Sequence, residues 1–338
     1  MFYVSKISIY FFILGFLNLI LSLYYRYQEN LLNTAVVSIF GFILSIIIAG
    51  LYQIFPNSQN TKLRYENLSY VVLVFMVLSF INFGLNQIEF SAVLILLGVF
   101  IFLVQIFMTL KTIKPIAIRF IFFATLYLFL SVIFLNLSLF HDSFLLKFPI
   151  HTFTFGVLLN LVMGIQFAWI PMLTMKVLNL KLAEKVFYLH QASVIFAVLS
   201  FFLNNYYLIA FSGFIVILSI LSFLYTIYSS VFRDGKIFNI PVVVKYFLTA
   251  WIFFIMGCIF GIYIATFTDF SFIFYHIILM VYGFSYLTIL GGVLHLLPRI
   301  VWNLNYIEKA KEGKSVPQIS KLIEEKLAVI YLKFFNLI

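Results

Sequence analysis

Residues 275–298 read YHIILMVYGFSYLTILGGVLHLLP, a run with no charged side chain. An uncharged apolar stretch of this length is a membrane span rather than a buried core helix. Its pattern of two glycines and a terminal proline is not unique in the chain. Residues 151–171 read HTFTFGVLLNLVMGIQFAWIP, and a shift of 127 positions carries Gly156, Gly164 and Pro171 onto Gly283, Gly291 and Pro298. Residues 41–56, GFILSIIIAGLYQIFP, repeat the pattern with one residue of slippage at Gly50. Glycines about two turns apart let neighbouring backbones approach closely, and each proline is expected where its helix leaves the membrane.

The composition agrees with a lipid-embedded chain. Of 338 residues, 64% are apolar, 20% are aromatic and only 9% are charged, too few to cover a soluble domain. Because the hydrocarbon core offers backbone groups no water, and these runs are far longer than barrel strands, the predicted fold class is an all-α polytopic bundle. Breaks at charged or turn-forming residues divide the chain into ten spans: 7–25, 31–55, 68–86, 88–110, 116–139, 147–175, 186–204, 206–232, 242–267 and 271–297. The signature then falls on spans two, six and ten, at intervals of four.

Charge placement orients the bundle. Nineteen of the 21 Lys and Arg residues lie on one side of this map, against Arg26 and Lys147 on the other. By the positive-inside rule both termini are cytoplasmic, in a bacterial-type inner (plasma) membrane. The net charge of +10 is therefore read as topology, with the lipid bilayer as partner and no nucleic acid. The first apolar run from Ile7 shows no small-residue cleavage site and is expected to stay as an anchor. The single cysteine, Cys258, excludes a disulfide framework and a CxxCH haem attachment, so any haem is held noncovalently.

Residues 1–300 are thus expected to form the transmembrane bundle, in repeat units near 31–140, 147–267 and 271–300, and residues 301–338 a cytoplasmic or interfacial tail. In that tail Ser315, Pro317 and Gln318 look like a helix start. Ile319, Leu322, Ile323, Leu327, Ile330, Tyr331, Phe334 and Ile338 follow at helical spacing, opposite Lys321, Glu324, Glu325 and Lys333. The expected element is an amphipathic interfacial helix, or the stub of an eleventh span.

Four-helix units with functional helices two, six and ten running the same way resemble the catalytic subunit of the haem-copper oxidase superfamily, cytochrome c oxidase subunit I, together with nitric oxide reductases and NnrS-type proteins. The resemblance covers the whole chain and lacks the last two of the usual twelve helices. It implies a pseudo-threefold arrangement in which His276 takes the place of the high-spin haem ligand, with Ile278 standing in the second position of that H-x-H pair. It likewise implies that His151 takes the place of the copper ligand. The second span carries Asn33, Thr34 and Val36 where the low-spin ligand would stand, so the resemblance implies at most one haem, of b type, with copper as a further expectation. The implied role is electron transfer or binding of nitric oxide or oxygen, in an oxidoreductase setting, with other respiratory-chain subunits or a cytochrome electron donor as partners. Phe155 occupies the place of the family's redox tyrosine, and no acidic residue lies at mid-membrane depth.

Read on their own chemistry, the histidines allow other outcomes. His276 and His151 share a depth near the outer boundary, where an imidazole either ligates a metal or forms an interhelical hydrogen bond. In the repeat alignment the two are offset by two residues, roughly 200° around the helix, which leaves their convergence open. His190 and His295, near the cytoplasmic boundary, form a second candidate pair for a cofactor or quinone headgroup. His141, beside Asp142, reads as a solvated loop residue. Gln105, Gln166, Gln191, Asn82, Asn136 and Asn160 read as interhelical hydrogen-bonding groups. Two alternatives stand beside the haem reading: a pseudo-repeat transporter or channel, and a cofactor-free scaffold subunit of a respiratory complex.

Overall fold

The computed structural model describes residues 3–140, 146–233, 240–322 and 325–335. His141, Asp142, Lys236, Ile323, Glu324 and Ile338 lie outside the described residues. Their regular structure is entirely helical, with no strand among the described residues. In chain order the helices are α1 Ile7–Tyr27, α2 Leu31–Ser58, α3 Leu68–Gly84, α4 Ile88–Thr109, α5 Ile116–Phe140, α6 Lys147–Thr174, α7 Leu180–Phe202, α8 Tyr206–Phe232, α9 Val242–Phe267, α10 Phe270–Lys311 and α11 Glu325–Phe335. Nine of them, α1, α2 and α4–α10, are long and apolar enough to cross a bilayer, so the chain is a multi-pass membrane protein in contact with lipid. The remaining predicted span, the third at 68–86, corresponds to α3, a 17-residue apolar helix antiparallel to α4. Gln105 of α4 donates to the carbonyls of Arg64 and Tyr65 at one end of this pair, and Ser91 donates to the Ser79 carbonyl toward the other.

The element boundaries follow local chemistry. Helix α7 starts at Leu180 rather than at 186 because the Asn179 side chain caps it, accepting from the Leu182 amide at 3.2 Å. The charges that made 180–185 read as loop sit on the helix's first turns, where Glu184 pairs with Arg119 of α5 at 2.8 Å. Pro56, Pro171 and Pro298 lie inside their helices rather than at the ends, and α10 continues beyond Pro298 to Lys311. A proline near a helix terminus leaves one carbonyl without its intrahelical donor, a cost that water at the membrane boundary relieves.

Helices α2 and α6 form the interior of the bundle: 89% and 78% of their most apolar stretches are buried, against 44% for α10. Phe40 of α2 packs edge-on against Phe153 of α6 at 5.2 Å, and Ser22 of α1 lies 3.5 Å from the Tyr282 hydroxyl of α10. All three signature helices contain a π-helical segment, at Val37–Ile43, Thr152–Leu159 and Ile278–Ser285. These segments enclose Gly41, Gly156 and Gly283. Each glycine admits a side chain from the helix just before it: Asn18 of α1, Tyr127 of α5 and Phe253 of α9. The wide turn of a π segment and the missing Cβ therefore act together to draw the helices close.

A stability contrast follows. A Cβ at Gly156 would stand 2.5 Å from Tyr127 Cγ and one at Gly283 would stand 2.8 Å from Phe253 Cβ, atoms too near the backbone to swing aside. Gly156→Ala and Gly283→Ala are each expected to destabilise by about 1–3 kcal/mol. At Gly50 a Cβ meets nothing within 4 Å, so Gly50→Ala is expected to be neutral or to stabilise by about 0.5–1 kcal/mol. Thermal unfolding in detergent ranks the three, and equal midpoints would refute the packing argument.

The tail differs in detail from its sequence reading. A 3-10 turn spans Ile319–Leu322, and α11 is described over Glu325–Phe335. The carbonyl of Pro317 is occupied by the indole of Trp302, which donates to it at 2.7 Å. Helix α11 lies against α9, where the Tyr246 hydroxyl donates to the Ala328 carbonyl at 2.8 Å and Ala328 and Leu332 are buried. Leu327, Ile330 and Tyr331 form its exposed apolar face.

Candidate functional site

Toward the end of the bundle opposite most of the cations, α2, α6 and α10 diverge around a cavity of about 480 Å³. Its walls are apolar, with Ile39 and Ile43 from α2, Phe153 and Leu158 from α6, and Ile277 and Met280 from α10. Two imidazoles enter it, His151 one turn into α6 and His276 early in α10, each just before its helix's π segment. Their ring centroids are 6.3 Å apart and their planes 21° from parallel. A smaller cavity of about 130 Å³ lies against the same pair, bounded by Tyr206 and Ser212 of α8 and by Cys258 and Gly261 of α9.

His151 and His276 meet in one chamber although they are not equivalent positions in the 127-residue alignment.

Each imidazole is held by one nitrogen. His151 Nδ1 lies 2.7 Å from the Lys147 carbonyl, and His276 Nδ1 lies 2.8 Å from the Gly257 carbonyl on α9. A carbonyl only accepts, so both Nδ1 atoms carry the proton and both Nε2 atoms present a lone pair. That is the arrangement of a metal-ligating histidine with a backbone carbonyl behind it. Rotation of the rings is blocked by neighbours: Phe201 of α7 stacks on His151 at 3.8 Å and 13°, and Gly261 leaves room for the His276 ring, whose Cε1 would stand 3.0 Å from a Cβ there. Among the described residues no cluster of three or more His, Cys, Asp or Glu is placed to hold a metal ion.

The two cations at this end of the bundle also meet at α10. Lys147 lines both cavities, with Nζ 2.9 Å from the Tyr206 hydroxyl, and the Arg26 guanidinium lies 3.9 Å over the ring of Phe274. Of the two exceptions to the charge asymmetry, Lys147 thus lines the imidazole chamber and Arg26 stands against α10 at Phe274.

The other histidines are engaged separately. His190 is fully buried on α7, with Nδ1 3.2 Å from Ser219 Oγ of α8 and its ring against Phe120. His295 Nε2 lies 2.9 Å from the Arg299 guanidinium, which donates to it, and the ring packs on Trp169 at 4.5 Å. No contact among the described residues joins these two. The polar residues behave as hydrogen-bonding groups: Gln191 donates to Asn160 at 2.6 Å, Asn160 to the Gly156 carbonyl, and Asn136 to the Ala92 carbonyl. Asn82 bonds only within its own helix, to Leu78.

The class defined so far is an all-helical, multi-pass membrane protein with a paired-imidazole chamber. No family model matches the chain. The chain is 37% identical to a protein of Aquifex aeolicus (strain VF5), described as an uncharacterized protein, over an alignment covering 100% of this chain and 89% of that one. It belongs to the same family as that protein.

Sequence reasoning placed His151 and His276 at a common depth and missed what surrounds them. Phe201 and the Gly257 carbonyl carry no signal of their own. Gly257 and Gly261 are four apart in GCIFG, a small-residue spacing that marks close helix approach. Arg26 and Lys147 were visible as outliers of the charge map.

Proposed function

We propose that His151 and His276 hold one noncovalent b-type haem in the chamber between α2, α6 and α10, and that the protein serves electron transfer or the binding of a diatomic gas such as nitric oxide or oxygen. The observation that carries this reading is the pair of imidazoles with Nδ1 tied to carbonyls, Nε2 left open and ring centroids 6.3 Å apart. The two imidazoles would hold one metal atom between them. Two ligands are too few to hold a bare transition metal firmly, whereas haem iron needs only axial ligands from the protein. A separate copper on His151 would have one protein ligand among the described residues, so both imidazoles are assigned to one iron.

The chamber suits the rest of the group. A volume of about 480 Å³ falls in the usual range of roughly 300–1,000 Å³ for cofactor sites, and its walls are apolar. When bound, the haem would supply one-electron chemistry, and a diatomic gas would bind only where one imidazole gives way. His151 and His276 would hold the group, and the apolar walls would exclude water from it.

The local correspondence of π segments and glycines supports a ten-span, pseudo-threefold bundle of the haem-copper oxidase kind, α3 being the short span. The positive-inside rule then puts the chamber toward the outer face of a bacterial inner membrane, with the basic end and tail cytoplasmic. A respiratory-chain subunit or a cytochrome electron donor would approach from that outer side.

The test is a dithionite-reduced minus oxidised spectrum of the protein purified from haem-supplied cells. Soret and α bands are expected at about one haem per chain. Absence of bands, both as purified and after titration with haemin, would remove the redox reading in favour of a transporter or a cofactor-free scaffold.

A further inference from the structure

On the basic side of the imidazole chamber, α2, α6 and α10 enclose a second cavity of about 100 Å³, separated from the first at the level of Leu158, which lines both. Two of its walls are glycines, Gly50 and Gly292, beyond which a Cβ would meet nothing within 4 Å. The space exists because those side chains are missing. Trp169 and Phe247 give it aromatic walls.

Two polar atoms in this lining have no partner among the described residues, Gln166 Nε2 and Thr288 Oγ1. Gln166 is 1% exposed, and its Oε1 is taken by the Trp251 indole, which donates to it at 2.8 Å. Both amide hydrogens are therefore free. Native interiors leave few buried donors unsatisfied, and each such group calls for an explanation.

Water explains them poorly. The cavity has room for several molecules, but each ordered water needs two to four polar partners, and two atoms satisfy about one. A flat ring bearing carbonyl oxygens meets every condition: an acceptor for each donor, apolar faces for the aromatic walls, and a size that fits where a macrocycle does not. The supply is the bilayer, because α10 is the least enclosed of the three surrounding helices.

We propose that this cavity binds the head ring of a membrane-soluble quinone, its carbonyl oxygens accepting from Gln166 Nε2 and Thr288 Oγ1. The site is independent of the haem reading and stands whether or not the outer chamber is loaded.

The experiment titrates a benzoquinone with a ten-carbon tail into the full-length protein in detergent and follows quenching of tryptophan fluorescence. Of three tryptophans, Trp169 lines the cavity and Trp251 bonds to Gln166. Saturable quenching is expected, and none with the same tail on a carbonyl-free benzene ring. Gly292→Leu, which fills the void, is expected to weaken binding at least tenfold. Thr288→Val keeps volume and removes one donor, for a weakening of about three- to tenfold. Should Gly292→Leu fail to fold, Thr288→Val carries the test alone. Unsaturable quenching, or saturable quenching equal in wild type and Thr288→Val, overturns the proposal.

Discussion

His276→Ala is expected to abolish the haem bands of the purified protein. The substitution deletes the Nε2 lone pair and also cuts the tie between α10 and the Gly257 carbonyl of α9. With one of two protein ligands gone, haem binding is expected to fall at least a hundredfold, on the order of 3 kcal/mol. The bundle itself should survive, because the ring lines a cavity instead of filling packed core, and size-exclusion behaviour checks this. His151→Ala leaves His276 with its carbonyl partner. That variant is expected to keep haem at reduced occupancy and to gain a carbon monoxide response through the vacated position. Unchanged bands in His276→Ala would remove the ligand assignment, even if wild-type protein binds haem elsewhere.

Gly261→Val is expected to produce nearly the same spectral loss without touching a ligand. A Cβ at this position already stands 3.0 Å from His276 Cε1 and 3.2 Å from Nδ1, and the two methyls of valine extend further into the ring's volume. The imidazole must turn away, which breaks its hydrogen bond to Gly257 and misdirects Nε2. Overpacking of this kind costs about 1–3 kcal/mol in stability, and loss of a carbonyl partner behind a metal ligand typically costs 10- to 100-fold in metal affinity. Haem occupancy should fall accordingly. Gly50→Ala, set in open space, is the control and should leave the spectrum as in wild type. A normal spectrum in Gly261→Val would show that the ring's position against α9 does not matter.

Much of the fold was readable before any coordinate. Hydropathy located the spans to within a few residues, except at the start of α7, where Lys181, Glu184 and Lys185 join the first turns, and at the end of α10, which runs on to Lys311. The glycine and proline repeat singled out α2, α6 and α10, the helices that surround both cavities. The π segments were not readable, because a residue's hydrogen-bond step from i−4 to i−5 depends on neighbours drawn in at Gly41, Gly156 and Gly283 rather than on local propensity. At the site, the depth of His151 and His276 was legible and their facing was not. Lys147 was legible as an anomaly of charge, and its position in the chamber lining was not. The pairing of His190 with His295 was a matter of shared depth alone, and the structure gives each its own partners, Ser219 for one and Arg299 with Trp169 for the other.

The amino-acid order by itself determined that this chain lives in lipid, which helices are special and that His151 and His276 stand at a common level of the bundle. Those properties follow from the free energy of transferring side chains into hydrocarbon, which varies along one axis and is written residue by residue. Only the tertiary structure decided the azimuth of each ring. That depends on which small residues let helices approach, on the wide turns that rephase them, and on the carbonyl of Gly257 and the ring of Phe201, which lie far from the histidines in the chain and beside them in the folded bundle.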